Sequence, residues 1–216
     1  MFNDERLTRD VLAELSWDPS VSATDLEVTA KDGIVTLTGH VTSFAEKHAA
    51  EAAARRVNGV KAIAEEIAVE LPFDHRRTDE DIAAAVVNRL DWDASVLPDT
   101  ITAQVQEGWV SLNGAVDWNF QKDAAALAVL PLLGVVGLSN QITIKPRANA
   151  HDIAEGIEGA LGRSWFFDPK RVGVHVEGHS VRLTGSVHTA HERRLAAATA
   201  WGSPGVGIVE NDLAIV

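Results

Sequence analysis

The sequence predicts an α+β protein made of three tandem modules, each with the order helix, strand, strand, helix, strand. Three observations support this fold class. A short segment with the alternation of a β-strand occurs three times, an alanine-rich helical stretch follows each copy, and a glycine–valine pair then leads to a last short apolar run. A hairpin followed by a helical crossover gives a small mixed three-stranded sheet, and we expect the two helices of each module to cover one face of it.

The repeat is spaced by 75 residues between the first two copies and by 71 residues between the last two. Its three copies are Asp32–Gly39, Glu107–Gly114 and Gly178–Gly185. An internal period of this kind indicates repeated structural units, and the four-residue difference falls in the first linker. The spacing predicts domains at residues 1–71, 78–146 and 147–216, with a linker at residues 72–77.

Each module is predicted to open with an amphipathic helix. Apolar residues recur at every fourth position and place one stripe on each helix; they are Leu7, Val11 and Leu15, then Ile82, Val86 and Leu90, then Ile153, Ile157 and Leu161. The expected N-caps are Asn3, Thr78 and Asn149. The third helix also contains Gly156, Gly159 and Gly162, and each glycine costs about 1 kcal/mol relative to alanine. We therefore expect this helix to be the least stable of the three, or to pack closely against a neighbour.

A hairpin is predicted next, with a two-residue turn. Asp32-Gly33 suits a type I′ turn, in which both central residues have positive φ, and Glu107-Gly108 occupies the same slot. Gly178-His179 suits a type II′ turn instead. Leu26 and Val28 are expected to face the core with Val35 and Leu37. A glycine is predicted to end the second strand of each hairpin, at Gly39, Gly114 and Gly185.

The second helix of each module is rich in alanine, which favours helix formation and allows close approach to a sheet. It is predicted at residues 44–57, 119–132 and 190–199, with a C′ glycine at Gly59, Gly134 or Gly205. A last strand is predicted at residues 67–69, 142–144 and 213–215. The glycines assigned to turns and caps are thus Gly33, Gly39, Gly59, Gly108, Gly114, Gly134, Gly178, Gly185 and Gly205.

Composition narrows the possible partners. The net charge is −12, and each predicted module has more acidic than basic residues, whereas nucleic-acid binding draws its affinity from clustered Lys and Arg. We therefore expect no nucleic-acid partner. No run of 18 apolar residues is present, so no transmembrane segment is predicted. The first residues lack the pattern of a secretory signal, which predicts a cytoplasmic protein, or a periplasmic one if a leader was removed. With no cysteine, disulfides are excluded.

The element order, the hairpin strand Gly-x-Val-x-Leu-x-Gly and the later glycine–valine pair resemble the BON domain, a module of bacterial osmotically induced and nodulation-related proteins. The motif stands at residues 33–39 and 108–114, and the third copy keeps Val181, Leu183 and Gly185 with His179 in place of the first glycine. The resemblance extends over nearly the whole chain as three copies. It implies a non-enzymatic module that contacts phospholipid or a membrane surface, linked to osmotic or envelope stress, without a cofactor.

The aromatic residues are the candidate binding residues. An exposed cluster would suit a lipid interface or a protein partner, because tryptophan combines apolar area with an N–H donor. The candidates are Trp109, Trp118, Trp165, Phe166 and Phe167. They could instead fill seams between small modules. Trp17 and Trp92 occupy equivalent positions after the first helix stripe, where a packing role at the helix end is expected.

Other residue groups give weaker signals. Four histidines fall in the third module, at positions 175, 179, 188 and 191, but none has the spacing of a metal site. His175 is expected to pair across the hairpin with Arg182, a poor neighbour for a cation. Serine nucleophile motifs, phosphate loops and paired catalytic carboxylates are absent from the sequence. No catalytic or metal-binding residue is assigned.

Three functions remain open from the sequence. The first is a phospholipid-binding or membrane-surface module of tandem domains. The second is a soluble protein-interaction or chaperone-like stress protein, and the third is a regulatory protein that binds a small solute in a cleft. The sequence does not determine the oligomeric state.

Overall fold

The structure, a computed structural model, describes residues 4–97, 99–146, 149–164 and 171–216. The candidate residues Trp165, Phe166 and Phe167 and the expected cap Asn3 lie outside these ranges. No helix within them is long and apolar enough to cross a membrane.

The helices and strands follow the predicted order in all three modules. The first module contains α1 (Asp4–Trp17), β1 (Leu26–Lys31), β2 (Ile34–Val41), α2 (Phe44–Arg56) and β3 (Ala62–Val69). The second contains α3 (Asp79–Asp91), β4 (Ile101–Gln106), β5 (Trp109–Val116), α4 (Asn119–Val129), β6 (Gly137–Asn140) and β7 (Thr143–Ile144). The third contains α5 (Ala150–Arg163), β8 (Val172–Glu177), β9 (Ser180–Val187), α6 (Ala190–Trp201), β10 (Ile208–Asn211) and β11 (Ala214–Ile215).

Each sheet is built around the second strand of its hairpin. In the first module β2 pairs antiparallel with β1 and parallel with β3, which gives the order β1-β2-β3. In the third module β9 pairs antiparallel with β8, and it pairs parallel with both β10 and β11. The middle sheet has the same order, β4-β5-β6, with β7 also on β5. The prediction of three tandem α+β modules with mixed sheets is confirmed.

The hairpin turns have the predicted backbone conformations. Asp32 and Gly33 have φ values of +53° and +85°, and Glu107 and Gly108 have +51° and +77°, as a type I′ turn requires. In the third turn Gly178 alone has positive φ, at +62°, which fits type II′. The register pairs Val28 with Leu37, and both are buried as expected.

The prediction that a glycine ends each hairpin strand is wrong. β2 continues two residues past Gly39, which pairs with Leu26 inside the sheet. Its φ is +123°, and a Cβ there would lie 2.1 Å from the carbonyl oxygen of Asp25. The same overlap would occur at Gly114 and Gly185. These glycines allow the chain that enters the first strand to cross close to the second strand.

The helix ends also differ from prediction. α4 stops at Val129, two residues before Pro131, because the residue before a proline is disfavoured in the helical conformation. Gly59 lies three residues beyond the end of α2, so it is not the predicted C′ glycine, although its φ is +103°. It belongs to a turn that brings the Lys61 amide within 2.8 Å of the Gly33 carbonyl. Gly134 and Gly205 likewise lie beyond the helix end with positive φ.

The last strand is longer than the sequence suggested, and two of the three copies are interrupted. β3 is continuous over eight residues, whereas Gln141 and Ile142 separate β6 from β7, and Asp212 and Leu213 separate β10 from β11. The Gln141 amide donates to the Leu112 carbonyl at 2.8 Å, and the Asp212 amide donates to the Leu183 carbonyl at 2.9 Å. Both copies therefore stay attached to the central strand across the interruption.

Two N-cap predictions are confirmed. The Thr78 hydroxyl accepts from the Asp81 amide at 3.2 Å, and the Asn149 side chain accepts from the His151 amide at 3.2 Å. The glycines of α5 are not explained by close packing, since a Cβ at Gly156 or Gly162 would meet nothing within 4 Å. Close packing at these two glycines is therefore not observed, and the reduced stability of this helix stays a prediction.

The apolar stripes of the first helices form the cores. Val11 and Leu15 are fully buried in the first module, and Ile157 and Leu161 are buried in the third. Alanines of α2 and α6 complete these cores, as the close-approach argument predicts; they are Ala50, Ala53, Ala54, Ala196 and Ala200.

The chain divides into two compact units. The first runs to Val86 and adds Gln104–Ser111 and Ala128–Ser139. The second takes the described residues of Val87–Ala103, Leu112–Leu127 and Asn140–Val216. Elements of the middle module thus contribute to both units.

Candidate binding surfaces

An apolar stripe runs along the outer side of α4. Phe120 is 55% exposed and Leu127, seven residues later on the same helical face, is 64% exposed. The half-buried Trp118 lies at the start of the stripe, with its ring centroid 6.2 Å from that of Phe120. We call Trp118, Phe120 and Leu127 the α4 stripe. A solvated helix face normally carries polar side chains, so a stripe of this kind is a candidate contact surface.

The stripe is specific to the middle module. The positions equivalent to Phe120 and Leu127 are Ala45 and Ala52 in the first module, and His191 and Ala198 in the third. Helix formation itself therefore does not require large apolar residues there. Trp118 was singled out by sequence reasoning, but Phe120 and Leu127 were missed. Their seven-residue spacing, opposite the buried alanines of the helix, was the signal that could have found them.

A buried acceptor holds the start of α4. The Gln121 side chain is 6% exposed, and its Oε1 accepts from the amides of Asp117 and Trp118, each at 3.1 Å. This fixes the backbone of Trp118 and so the beginning of the α4 stripe. Sequence reasoning missed this residue because it did not test the spacing of a capping box, in which Glu or Gln follows the N-cap by three positions.

The same position holds a carboxylate in the other modules. Glu46 is 9% exposed and accepts three hydrogen bonds, from the Ser22 amide at 2.8 Å and from the amide and hydroxyl of Thr42, each at 3.0 Å. In the third module Glu192 accepts one, from the His188 amide at 2.8 Å. This acceptor is structural in all three copies, because it satisfies backbone donors that precede the helix.

The second aromatic surface is the outer face of the middle sheet. Trp109 is 50% exposed at the start of β5, on the face opposite the buried Val110 and Leu112. Its ring lies over the backbone of Gly137, where a Cβ would come within 2.3 Å of the ring atoms Cε3 and Cζ3. A shallow depression of about 590 Å³ surrounds it, lined by Gln104, Gln106, Glu107, Trp109, Ser111 and Val136.

The equivalent face of the third module is charged. A depression of about 460 Å³ there is lined by His175, Glu177, Ser180, Arg182, Thr184 and Glu210. The Arg182 guanidinium donates from Nε to Glu210 Oε2 at 2.8 Å, and this bond raises the pKa of Arg182 above its ordinary value. His175 pairs directly with Arg182, as expected. Among the described residues, no group of three or more His, Asp or Glu side chains could hold a metal ion.

The two tryptophans at the helix ends are exposed, so the expected packing role is wrong. Trp17 is 83% exposed at the end of α1, and Trp92 is 87% exposed just after α3. The chain turns away at this point, and the core is closed by Val21 and Val96, which are buried a few residues later. Such exposure is unusual for tryptophan, which is highly buried on average. Trp17 and Trp92 are therefore two separate exposed apolar side chains on the surface.

An ion-pair network lies beside Trp17. Arg56 donates from Nη2 to Asp18 Oδ2 at 2.9 Å and from Nε to Glu14 Oε1 at 3.0 Å. The bond from Arg56, followed by one from the Ser20 amide, lowers the pKa of Asp18 below its ordinary value. The bonds to both carboxylates raise the pKa of Arg56. The network ties the end of α1 to the end of α2.

The chain was compared with known proteins. The chain is 26% identical over 147 residues to osmotically-inducible protein Y of Escherichia coli (strain K12), a match that covers 66% of this chain and 73% of the relative. Among solved structures it resembles CdsD, a structural protein of the type III secretion system of Chlamydia trachomatis, at 18% identity over 98% of this chain and 92% of that one. A second structure, the C-terminal domain of CdsD, is also 18% identical, and the match covers 100% of this chain and 100% of that one.

Both CdsD structures have a TM-score of 0.28, and at this value the likeness carries no information about function. The family comparison is more informative. The description "BON domain" matches three times, at residues 3–70, 78–146 and 149–216. These matches bear out the resemblance drawn from the hairpin motif. The chain belongs to the BON domain family, as three tandem copies of the domain.

Proposed function

We propose that this protein is a non-enzymatic binding protein that attaches to phospholipid surfaces through the α4 stripe, as part of a response to osmotic stress. The observation that carries the proposal is the exposure of Phe120 and Leu127 on one face of α4, next to Trp118. Family membership and the match to an osmotically inducible relative support it.

The chemistry of the stripe suits a membrane interface. Transfer of one exposed Leu or Phe side chain from water into an apolar environment contributes about 1.5–3 kcal/mol. Trp118 adds an indole, which favours the boundary between head groups and acyl chains. Asn119, Lys122 and Asp123 lie along the same helix, so polar groups can remain in the head-group region while the α4 stripe enters the boundary.

Charge determines which membrane is preferred. The chain carries a net charge of −12, so its overall field opposes approach to an anionic surface. Attachment must then come from apolar contact. We expect binding to neutral vesicles to equal or exceed binding to anionic vesicles, and to survive an increase in salt concentration, since salt screens charge and not apolar contact.

The test is vesicle co-sedimentation of the full chain. Phosphatidylcholine vesicles and vesicles containing phosphatidylglycerol are compared at two salt concentrations, with the double variant Phe120→Ser/Leu127→Ser. The matched control is Phe73→Ser/Ile208→Ser, which removes two exposed apolar side chains from other surfaces. Loss of binding in the first variant alone supports the proposal. Equal loss in both variants, or no binding of the unmodified chain to either vesicle, refutes it.

A protein partner is the second candidate, favoured by the exposure of Trp17 and Trp92. Aromatic side chains of this kind are typical anchors at protein interfaces. On this hypothesis the chain suppresses the aggregation of an unfolding client protein, and Trp17→Ala/Trp92→Ala removes the effect while vesicle binding is unchanged. A client assay that gives the same result with and without the two tryptophans contradicts it.

A further inference from the structure

We propose that the outer face of the middle sheet around Trp109 is a separate binding site for an uncharged oligosaccharide. The proposal rests on the aromatic ring at the centre of the 590 Å³ depression, on the polar side chains that surround it, and on the contrast with the same face of the other modules. It uses no residue of the α4 stripe, so it goes beyond the lipid-binding proposal and can be tested independently.

The Trp109 ring is positioned as a stacking platform. One side of the ring covers the backbone of Gly137, and half of the side chain remains exposed. Any side chain at position 137 would collide with the ring, because its Cβ would lie 2.2 Å from Cε3. The ring is thus supported from below by the sheet. The apolar C–H face of a sugar ring can pack on such an indole with little loss of freedom by the protein.

The surrounding groups are suited to hydroxyl recognition. Gln104 and Gln106 alternate along β4 and are both exposed, and the half-buried Ser111 follows Trp109 on β5. A carboxamide offers two donors and an acceptor, and a serine hydroxyl offers both roles. Within the described part of the chain, neither glutamine side chain is hydrogen-bonded to another residue. Both therefore remain available to a ligand that presents many hydroxyl groups.

The charge of the face determines the ligand class. Glu107 is the one charged side chain of the depression, and its carboxylate can accept hydrogen bonds from sugar hydroxyls. A phosphate or nucleotide would meet this carboxylate without a cation in the lining, which costs affinity. A cation would find the Glu107 carboxylate and, at the same turn, the Asp79 carboxylate, whose two oxygens already accept from the amides of Glu107 and Gly108 at 2.8 and 2.9 Å. An uncharged polyhydroxylated ligand therefore fits best.

The repeat supplies an internal comparison. In the first module the position of Trp109 holds Ile34, paired with Ala62, and in the third it holds Ser180, paired with Ile208. The position of Ser111 holds Arg182 in the third module, where it is engaged by Glu210. Of the three described faces, the aromatic ring with a glycine beneath it occurs in the middle one. A purely structural need of the fold would not restrict this combination to one copy.

The experiment is isothermal titration of the full chain with cellohexaose, a flat β-linked chain, and with maltohexaose, a curved α-linked chain. We expect saturable binding of at least one, with a change in tryptophan fluorescence. Trp109→Ala should weaken binding about tenfold or more, and a tenfold loss corresponds to 1.4 kcal/mol. The matched control Trp118→Ala should bind within about twofold of the unmodified chain, on the same scale.

A second variant guards against loss of folding. Gln104→Ala/Gln106→Ala changes two exposed side chains and leaves the packing of Trp109 on Gly137 intact, and it should weaken binding about fivefold, or roughly 1 kcal/mol. The inference is overturned if neither oligosaccharide binds, or if the glutamine variant binds as well as the unmodified chain. Vesicle binding provides the cross-check, because it should be retained in the glutamine variant and lost in Phe120→Ser/Leu127→Ser.

Discussion

The buried acceptor before the second helix gives a graded stability test within one chain. Glu46 accepts three hydrogen bonds, Gln121 accepts two and Glu192 accepts one, at the same position of the three modules. Replacement of each by alanine removes the acceptor and leaves its donors without a protein partner. We predict that the cost falls in the order Glu46, Gln121, Glu192, each within its own module.

The magnitudes follow from the number and type of bonds. A hydrogen bond to a charged group contributes about 1.5–3 kcal/mol and a neutral one about 0.5–1.5 kcal/mol. Ser22, Thr42 and His188 are exposed residues, so water can replace part of what Glu46 and Glu192 provide. We therefore expect Glu46→Ala to cost about 3 kcal/mol, Gln121→Ala about 2 kcal/mol and Glu192→Ala about 1 kcal/mol. Glu46→Gln should fall between Glu46→Ala and the unmodified chain, since its amide would face an N–H or O–H donor.

The assay must resolve the modules. A chain of three domains need not unfold in one transition, so a single midpoint is not sufficient. Native-state hydrogen exchange in increasing urea, read by mass spectrometry of peptides from each module, gives a local opening free energy for each. The reasoning is refuted if Glu46→Ala destabilises its module no more than Glu192→Ala does, or if the exchange change appears in another module.

Three further outcomes are expected. The lowered pKa of Asp18 means that its charged form is favoured in the folded state; its contribution is fully present above the unfolded value of 3.8 and is lost as the pH falls through the folded value. When hydrogen exchange of the α1 amides is followed as the pH is lowered, their protection should therefore decline below about pH 4, and this decline should be smaller in Asp18→Asn. A profile that is unchanged in the variant would contradict the role of Arg56. Gly156→Ala should stabilise the third module by about 0.4–1 kcal/mol in urea unfolding, because the added methyl meets nothing within 4 Å. The same change at Gly39, where φ is +123° and the Cβ would overlap Asp25, should destabilise the first module, and a loss of stability at position 156 would show that α5 is not limited by its glycines.

Local patterns were sufficient for the fold of each module. The stripe of Leu7, Val11 and Leu15 predicted a core-facing helix, and Asp32-Gly33 predicted the turn type, because both depend on neighbours close in sequence. Gly39 was misjudged for the opposite reason. Its special backbone is imposed by the Asp25 carbonyl, which comes from the segment before the partner strand, and no pattern near Gly39 reports that contact.

The candidate surfaces were predicted less well. Sequence analysis singled out Trp109 and Trp118, and both lie on partly exposed surfaces. It expected Trp17 to pack, because an aromatic residue after an apolar stripe often closes a helix end. The structure closes the core with Val21 instead and leaves Trp17 exposed. Whether a large side chain is buried depends on which residue of the folded chain fills the core position next to it. That is decided by tertiary packing.

The sequence by itself determined that this chain is three BON domains, with their element order, turn types and core stripes, because period and alternation are local properties that survive repetition. Only the tertiary structure decided which side chains each copy exposes on its surface. It placed Phe120 and Leu127 on the outer side of α4 and laid the Trp109 ring over Gly137. These arrangements depend on which face of an element is left uncovered after the core has formed, and that is settled by packing between segments distant in the chain.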